Sequence, residues 1–297
     1  MDIQLKYLER NKNITSLSNF KTKAFSEYYF EINEEKDLSK LMEISNFSNK
    51  QNLKILFVWA WTNMLFAFDI FNWIIIKNNL VWWGYDENSK ILESYSSELI
   101  SDIAINLENN YRQNIWHRFI WLPGSVGWAV YWNAGCFWLE IENNFLEAKL
   151  LNLENGQVST LSNIDMNFAY RTSILKQNNN KYFLIKVKFD LSNIKEKYSS
   201  KVDNIDFREN KQPKWNTCWS FFKNPNREQS AGFLIENVWL KWYNNKGAYF
   251  SELHANFLMN DWNANYKDLL DLIKIAQDKV KKKFNVELIN EVRIINN

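Results

Sequence analysis

The chain has 297 residues, 46% of them apolar, with 36 basic against 34 acidic side chains. That is enough apolar material for a sizeable core, and at about 100–200 residues per domain the length points to two domains. A net charge of +2 offers nucleic acid no basic face, although a nucleotide-bearing small molecule needs only a local basic site.

In chain order, 27–33 (EYYFEIN) reads as a strand. Residues 36–47 read as a helix with Leu38, Leu41, Met42 and Ile44 near one face. LKILFV (53–58) is a short apolar strand, WAWTN (59–63) a turn, and WIIIK (73–77) another buried strand. FLIKVKFDL (183–191) alternates apolar and polar, as a half-exposed strand does. The polar stretch 192–214 is the candidate domain boundary, and Tyr266 to Phe284 is the strongest helix, with Leu269, Leu270, Ile273, Ala276, Val280 and Phe284 at helical spacing. VELINEVRII (286–295) reads as a final strand.

The N-terminal stretch has no apolar run of signal-peptide type. The most apolar run, Met64 to Ile76, is interrupted by Asp69 and Asn72 and is too short for a bilayer. Cys136 and Cys218 are too few for a disulfide framework and fit a reducing compartment. The expectation is a cytoplasmic protein without membrane insertion.

Tryptophan is abnormal: there are 15 Trp and only 7 Gly, which together come to about 7% of 297 residues, the ordinary share of glycine alone. Several sit in turn contexts, such as Asn72-Trp73, Trp215-Asn216 and Asp261-Trp262-Asn263, where glycine is favoured because it accepts positive φ. Some bacterial lineages read UGA as glycine, and decoding that triplet as tryptophan produces this pattern. Most of these tryptophans are therefore expected to be glycine in the living protein.

Five segments carry candidate chemistry. Read with glycine at 59 and 61, LFVWAWTNML (56–65) becomes a strand followed by GAGTN, a turn whose backbone N–H groups can approach a pyrophosphate; an ordinary strand-end turn is the equal alternative. With glycine at 121, 128, 132 and 138, residues 119–141 become a small-residue loop able to wrap a flat, phosphate-bearing cofactor. Ser125, Asn133 and main-chain donors would supply the hydrogen bonds there. AYRTS (169–173) places Arg171, a fixed charge suited to an anionic group. WSFFKNP (219–225) carries Ser220, Lys223 and Asn224; with no G-x-S-x-G, and with only His117 and His254 as histidines, it does not read as a hydrolase triad. Glu291 interrupts the apolar terminal run, as an exposed alternate position or as a placed acid.

In this order and spacing, with AGFLIENVWLKW (231–242), SELHANFLMNDWNA (251–264) and the terminal NEVRII, these segments resemble the UDP-N-acetylenolpyruvoylglucosamine reductase (MurB) family. The resemblance runs from about Leu17 to Ile295, and Trp stands on a family glycine at 59, 61, 73, 121, 128, 138, 219, 239, 242 and 262. SNFKTKAFSEYY matches the family's entry segment loosely, and Asn296 stands where a glycine commonly ends the chain.

The resemblance implies an α+β protein. A two-subdomain FAD-binding α/β region of the PCMH/vanillyl-alcohol-oxidase type spans 1–195, divided near 80. A C-terminal α/β substrate-binding domain follows at 196–297. It implies FAD as cofactor, held by Trp59, Ala60, Trp61, Thr62, Asn63 and Leu65 and by Pro123, Gly124, Ser125, Val126, Asn133, Ala134 and Gly135. NADPH is the implied co-substrate and UDP-N-acetylglucosamine enolpyruvate the substrate, reduced to UDP-N-acetylmuramate for peptidoglycan. Arg171 and Glu291 would polarise the substrate carboxyl group, and Ser220 would donate the proton. Tyr170, Lys223 and Asn224 would hold substrate. No metal is implied, and a monomer is expected. Two other readings stay open: a flavin oxidase of the same fold, marked by rapid reaction of the reduced flavin with oxygen, and a non-catalytic nucleotide-sugar binder, marked by a colourless protein that still binds UDP-sugar.

Overall fold

The computed structural model describes residues 5–59, 63–178, 181–192, 210, 212–213, 216–226 and 229–297. It divides into two compact units: Met1–Arg10, Tyr28–Trp61 and Trp73–Ile205 form unit 1, and Asn11–Glu27, Thr62–Asn72 and Asp206–Asn297 form unit 2. Most of the boundary expected at 192–214, and Ala60, Trp61 and Thr62 of the first motif, lie outside the described residues.

One sheet has the order β1-β2-β5-β3, formed by β1 (Glu9–Asn13), β2 (Phe25–Ile32), β3 (Ile55–Val58) and β5 (Ile70–Asn78). All four residues of β3 are buried, as an apolar run covered on both faces should be, and β3 runs parallel to β5 with Ile55 opposite Ile74. The helix expected at 36–47 opens as a 3-10 turn, Glu35–Ser39, and becomes α-helical only over α1 (Lys40–Gln51). The Asp37 carboxylate accepts from the N–H groups of Asn33 and Glu34 and tightens that entry. Leu41, Ile44 and Phe47 then pack with Phe57, Ile74, Ile76 and Phe183 in one core of unit 1.

The second sheet of unit 1 is antiparallel, with the order β11-β10-β12-β7-β6. Its strands are β6 (Trp83–Asp86), β7 (Ile91–Tyr95), β10 (Phe145–Asn152), β11 (Val158–Ser162) and β12 (Tyr182–Asp190). In β12 the half-exposed Lys186 and Lys188 alternate with buried Ile185, Val187 and Phe189. Three helices accompany this sheet: α2 (Ile100–Tyr111), α3 (Val126–Trp132) and the short α4 (Ile174–Gln177). A small hairpin, β8 (Gly135–Cys136) with β9 (Leu139–Glu140), follows α3.

Unit 2 has an antiparallel sheet ordered β13-β16-β15-β14, from β13 (Thr217–Ser220), β14 (Asn244–Asn245), β15 (Ala248–Phe250) and β16 (Phe257–Asn260). Its helices are α5 (Ala231–Asn237) and α6 (Tyr266–Phe284). α6 begins and ends where its periodicity predicts, and Leu269, Leu272, Ile273, Ala276 and Val280 enter the core with Phe221, Leu234 and Phe250. Leu270 and Phe284, expected on that face, are only partly buried, and Leu272 takes a place among the buried positions.

Asn265 caps α6. Its Oδ1 accepts from the N–H groups of Lys267 and Asp268, and Asp268 reaches back to the Asn265 N–H. Asn265→Ala is expected to destabilise the protein by about 1 kcal/mol, read as a lower urea midpoint at unchanged slope.

The terminal strand is shorter than expected. Only β17 (Arg293–Ile295) is a strand, parallel to β4 (Met64–Phe66). Before it, the backbone turns aside to hydrogen-bond the segment after β13. Neither cysteine is in a disulfide, and burial pushes the Cys218 thiol up to about 12. Among the described residues no helix is long and apolar enough to cross a membrane, and no cluster of His, Cys, Asp or Glu is placed to hold a metal.

Candidate active site

Of the first expected cofactor motif, Trp59 meets the second motif in unit 1. Within the stretch expected as a glycine-rich loop, Val126–Trp132 form the helix α3, which Ser125 caps at its start and Asn133, at φ 44°, stops. The Ser125 hydroxyl oxygen accepts from the N–H of residue 128 at 3.2 Å. The N–H groups of Val126 and Gly127 donate to the carbonyls of Glu98 and Ser96 at 2.8 and 2.7 Å. The Gly124 carbonyl accepts from the Ile100 N–H at 3.2 Å. Donors expected to serve a ligand are thus spent on docking α3 to the turn between β7 and α2. That turn, SSEL (96–99), was missed by sequence reasoning; its serine pair before an apolar helix was the available signal.

Trp59 leaves β3 against this helix, packed on the Tyr131 ring with centroids 6.3 Å apart. A Cβ on Gly127 would lie 2.8 Å from the Ser96 carbonyl oxygen and 3.1 Å from the Trp59 indole nitrogen, and one on Gly124 only 2.6 Å from the Trp128 ring. Two glycines thus present bare backbone, and two indoles occupy the space in front of them. Neither indole N–H finds an acceptor among the described residues although both are buried. Pro123 is half-buried and Ala134 buried nearby.

Arg171 joins the same neighbourhood. Its guanidinium donates to the carbonyls of Gly135 at 3.1 Å and Asn133 at 3.5 Å, and stacks 5.1 Å from the Tyr170 ring. Asn133 is clamped between segments: its amide donates to the Ala169 carbonyl and its Oδ1 accepts from the Glu142 N–H. Tyr170 is exposed.

Unit 2 holds the other residues. Asn63 and Leu65 are buried beside β17, the Asn63 carbonyl accepting from the Arg293 N–H and Leu65 lying opposite Ile294. Ser220 ends β13 opposite Phe257, after a bulge. The Glu291 N–H donates to the Phe221 carbonyl at 2.8 Å, which sets Glu291 and Ser220 on adjoining backbones. Glu291 is therefore half-buried at a turn, not an alternate position of a strand. Asn256 fixes this arrangement: buried, it accepts from the Phe222 N–H at 3.0 Å and donates to the Phe222 carbonyl at 2.8 Å. Sequence reasoning missed it, although an amide within the apolar HANFLM run was the clue. The Lys223 N–H donates to the Ile289 carbonyl, and the Asn224 side chain accepts from the Ala231 N–H at the start of α5.

A family model described as UDP-N-acetylenolpyruvoylglucosamine reductase, C-terminal domain, matches residues 211–295. Proteins named UDP-N-acetylenolpyruvoylglucosamine reductase align over most of the chain. That of Prochlorococcus marinus subsp. pastoris is 30% identical, covering 95% of each chain. That of Fervidobacterium nodosum is 31% identical over 85% of this chain and 81% of its own length. The Bacillus pumilus protein of that name is 41% identical, but the match spans 59% of this chain and 57% of that relative. The crystal structure of the reductase (MurB) from Thermus caldophilus has the same fold, with a TM-score of 0.75 and 19% identity over 97% of this chain and 99% of that one.

Proposed function

Because the chain belongs to the UDP-N-acetylenolpyruvoylglucosamine reductase family, we propose that it reduces the enolpyruvyl ether of UDP-N-acetylglucosamine to UDP-N-acetylmuramate for peptidoglycan synthesis in the cytoplasm, with FAD as cofactor and NADPH as reductant. The pairing of Ser220 with Glu291 on hydrogen-bonded backbones carries this reading. A vinyl carbon and its carboxyl group need a proton donor and a polarising acid side by side.

The residues present in unit 1 do not fit a flavin diphosphate, since the Trp59 and Trp128 indoles fill the space before Gly127 and Gly124. Flavin binding requires glycine at these positions. The roles of the protein's other residues stand apart from that requirement. Arg171 supplies a fixed charge, held in place by the Asn133 and Gly135 carbonyls, for the substrate carboxylate. In unit 2, Glu291 supplies the polarising acid and the Ser220 hydroxyl delivers a proton to the substrate carbon. Lys223 and Asn224, on the segment after β13, and Tyr170 hold substrate.

The test is NADPH consumption that depends on the enolpyruvyl nucleotide sugar, with UDP-N-acetylmuramate identified by mass. Consumption driven by oxygen alone would replace the reductase with an oxidase. Glu291→Gln, which keeps shape but removes the acid, is expected to lower turnover by about 10²-fold with little change in thermal stability.

A further inference from the structure

We propose that positions 59, 121, 128, 138, 219, 239, 242 and 262 carry glycine in the functional protein, and that Trp116 is a genuine tryptophan. Six of these positions carry the inference without reference to function. Trp121, Trp138, Trp219, Trp239, Trp242 and Trp262 all adopt φ between 61° and 80°, a region in which a bulky aromatic residue is an outlier. Five of the six rings are exposed, from 46% for Trp121 to 86% for Trp239, so burial of the indole does not offset the backbone cost.

Three of them occupy turns with a defined glycine slot. Ile120 at φ −57°, ψ 128°, followed by Trp121 at φ 63° and closed by the Leu122 N–H on the Phe119 carbonyl, is a type II turn. Its third residue is ordinarily Gly or Asn. Phe137 and Trp138, at φ 48° and 71°, form the two-residue loop of the β8–β9 hairpin. A loop with both φ values positive is type I′, with glycine preferred second. At the end of α5 the Leu240 N–H donates to the Ile235 carbonyl and the Trp239 N–H to the Glu236 carbonyl. That is the Schellman pattern, and Trp239 stands in its left-handed glycine place.

Positions 59 and 128 rest on the flavin reading. There the two indoles crowd bare glycine backbone and bury unbonded N–H groups.

Trp116 shares the unbonded indole N–H but differs in backbone, exposure and packing. It lies in a 3-10 turn with no positive φ, is 0% exposed, and packs edge-on against Phe119 and Phe189 at 5.4 and 4.8 Å. A glycine there would leave an indole-sized void in the core.

Peptide sequencing by mass spectrometry of the protein purified from its source cells decides the matter. The expected result is glycine at all eight positions and tryptophan at 116. Tryptophan at any of the eight, or glycine at 116, would overturn the assignment. A second measurement compares the chain as written with a version bearing all eight Trp→Gly replacements together with Trp61→Gly, the other glycine of the expected pyrophosphate turn, both purified in the presence of FAD. The replaced chain is expected to retain the flavin absorption band through gel filtration and to melt at a higher temperature. Equal flavin retention and equal melting in the two would refute the proposal. A yellow, more stable replaced chain that leaves the enolpyruvyl substrate untouched would sink the reductase reading and leave this one standing.

Discussion

Ser220→Ala is expected to lower reoxidation of the reduced enzyme by the enolpyruvyl substrate by roughly 10²–10⁴-fold, while bleaching of the flavin by NADPH keeps its original rate. The two half-reactions are followed separately by stopped-flow absorbance, in the chain with glycine at the eight positions and at 61. The asymmetry follows from where the serine is held. Its own strand pairs it with Phe257. The next residue is fixed from two sides, the Phe221 N–H donating to the Asn256 carbonyl and the Phe221 carbonyl accepting from the Glu291 N–H. The hydroxyl thus sits on backbone with little freedom, as a proton donor must when its target lives briefly. Loss of a single oxygen leaves this lattice intact, so the melting temperature should not move. Equal slowing of both half-reactions would mean that Ser220 serves the cofactor and not proton delivery.

The second large effect has opposite signs at two tryptophans. Trp116→Ala should destabilise the protein by about 3–5 kcal/mol, because it opens a cavity lined by Phe119 and Phe189. Its indole N–H has no acceptor among the described residues, and ring burial must offset that cost. Trp262→Gly should instead stabilise by about 1 kcal/mol. The ring is 70% exposed at φ 80°, and the N–H bond to Asn260 Oδ1 at 2.9 Å survives the change. Urea unfolding of the two variants beside the parent measures both. A loss of stability at Trp262→Gly would show that the indole makes contacts worth more than the strain.

What was legible in the sequence was local. α6 announced itself because its apolar residues recur at helical spacing between the Asn265 cap and Asn285, which takes the left-handed stop. β12 announced itself by Lys186 and Lys188 alternating with buried neighbours. α3 stayed hidden because small residues over 122–135 read as loop; its only markers were Ser125 at the start and Asn133 at the end. The strand expected over 286–295 failed for a non-local reason. Glu291 pairs with Phe221, and only Arg293–Ile295 find a strand partner, more than two hundred positions earlier at Met64–Phe66. The anchoring of Arg171 on Gly135 is likewise a tertiary fact that no spacing along the chain encodes. The composition gave the clearest hint of all, an excess of indoles matched by a shortage of glycine. The backbone then marked which sites were concerned.

The parallel pairing of β17 with β4 has a consequence for biosynthesis. A strand made early waits, with its hydrogen-bonding edge unsatisfied, until the ribosome has added Ile295. Unit 2 therefore closes after translation of its last strand, whereas the β3–β5 ladder of unit 1 can form while the nascent chain is still growing. A chain that stops before Glu291 would lack that acid and the strand that pairs with β4, and quality-control proteases would meet it as an open unit.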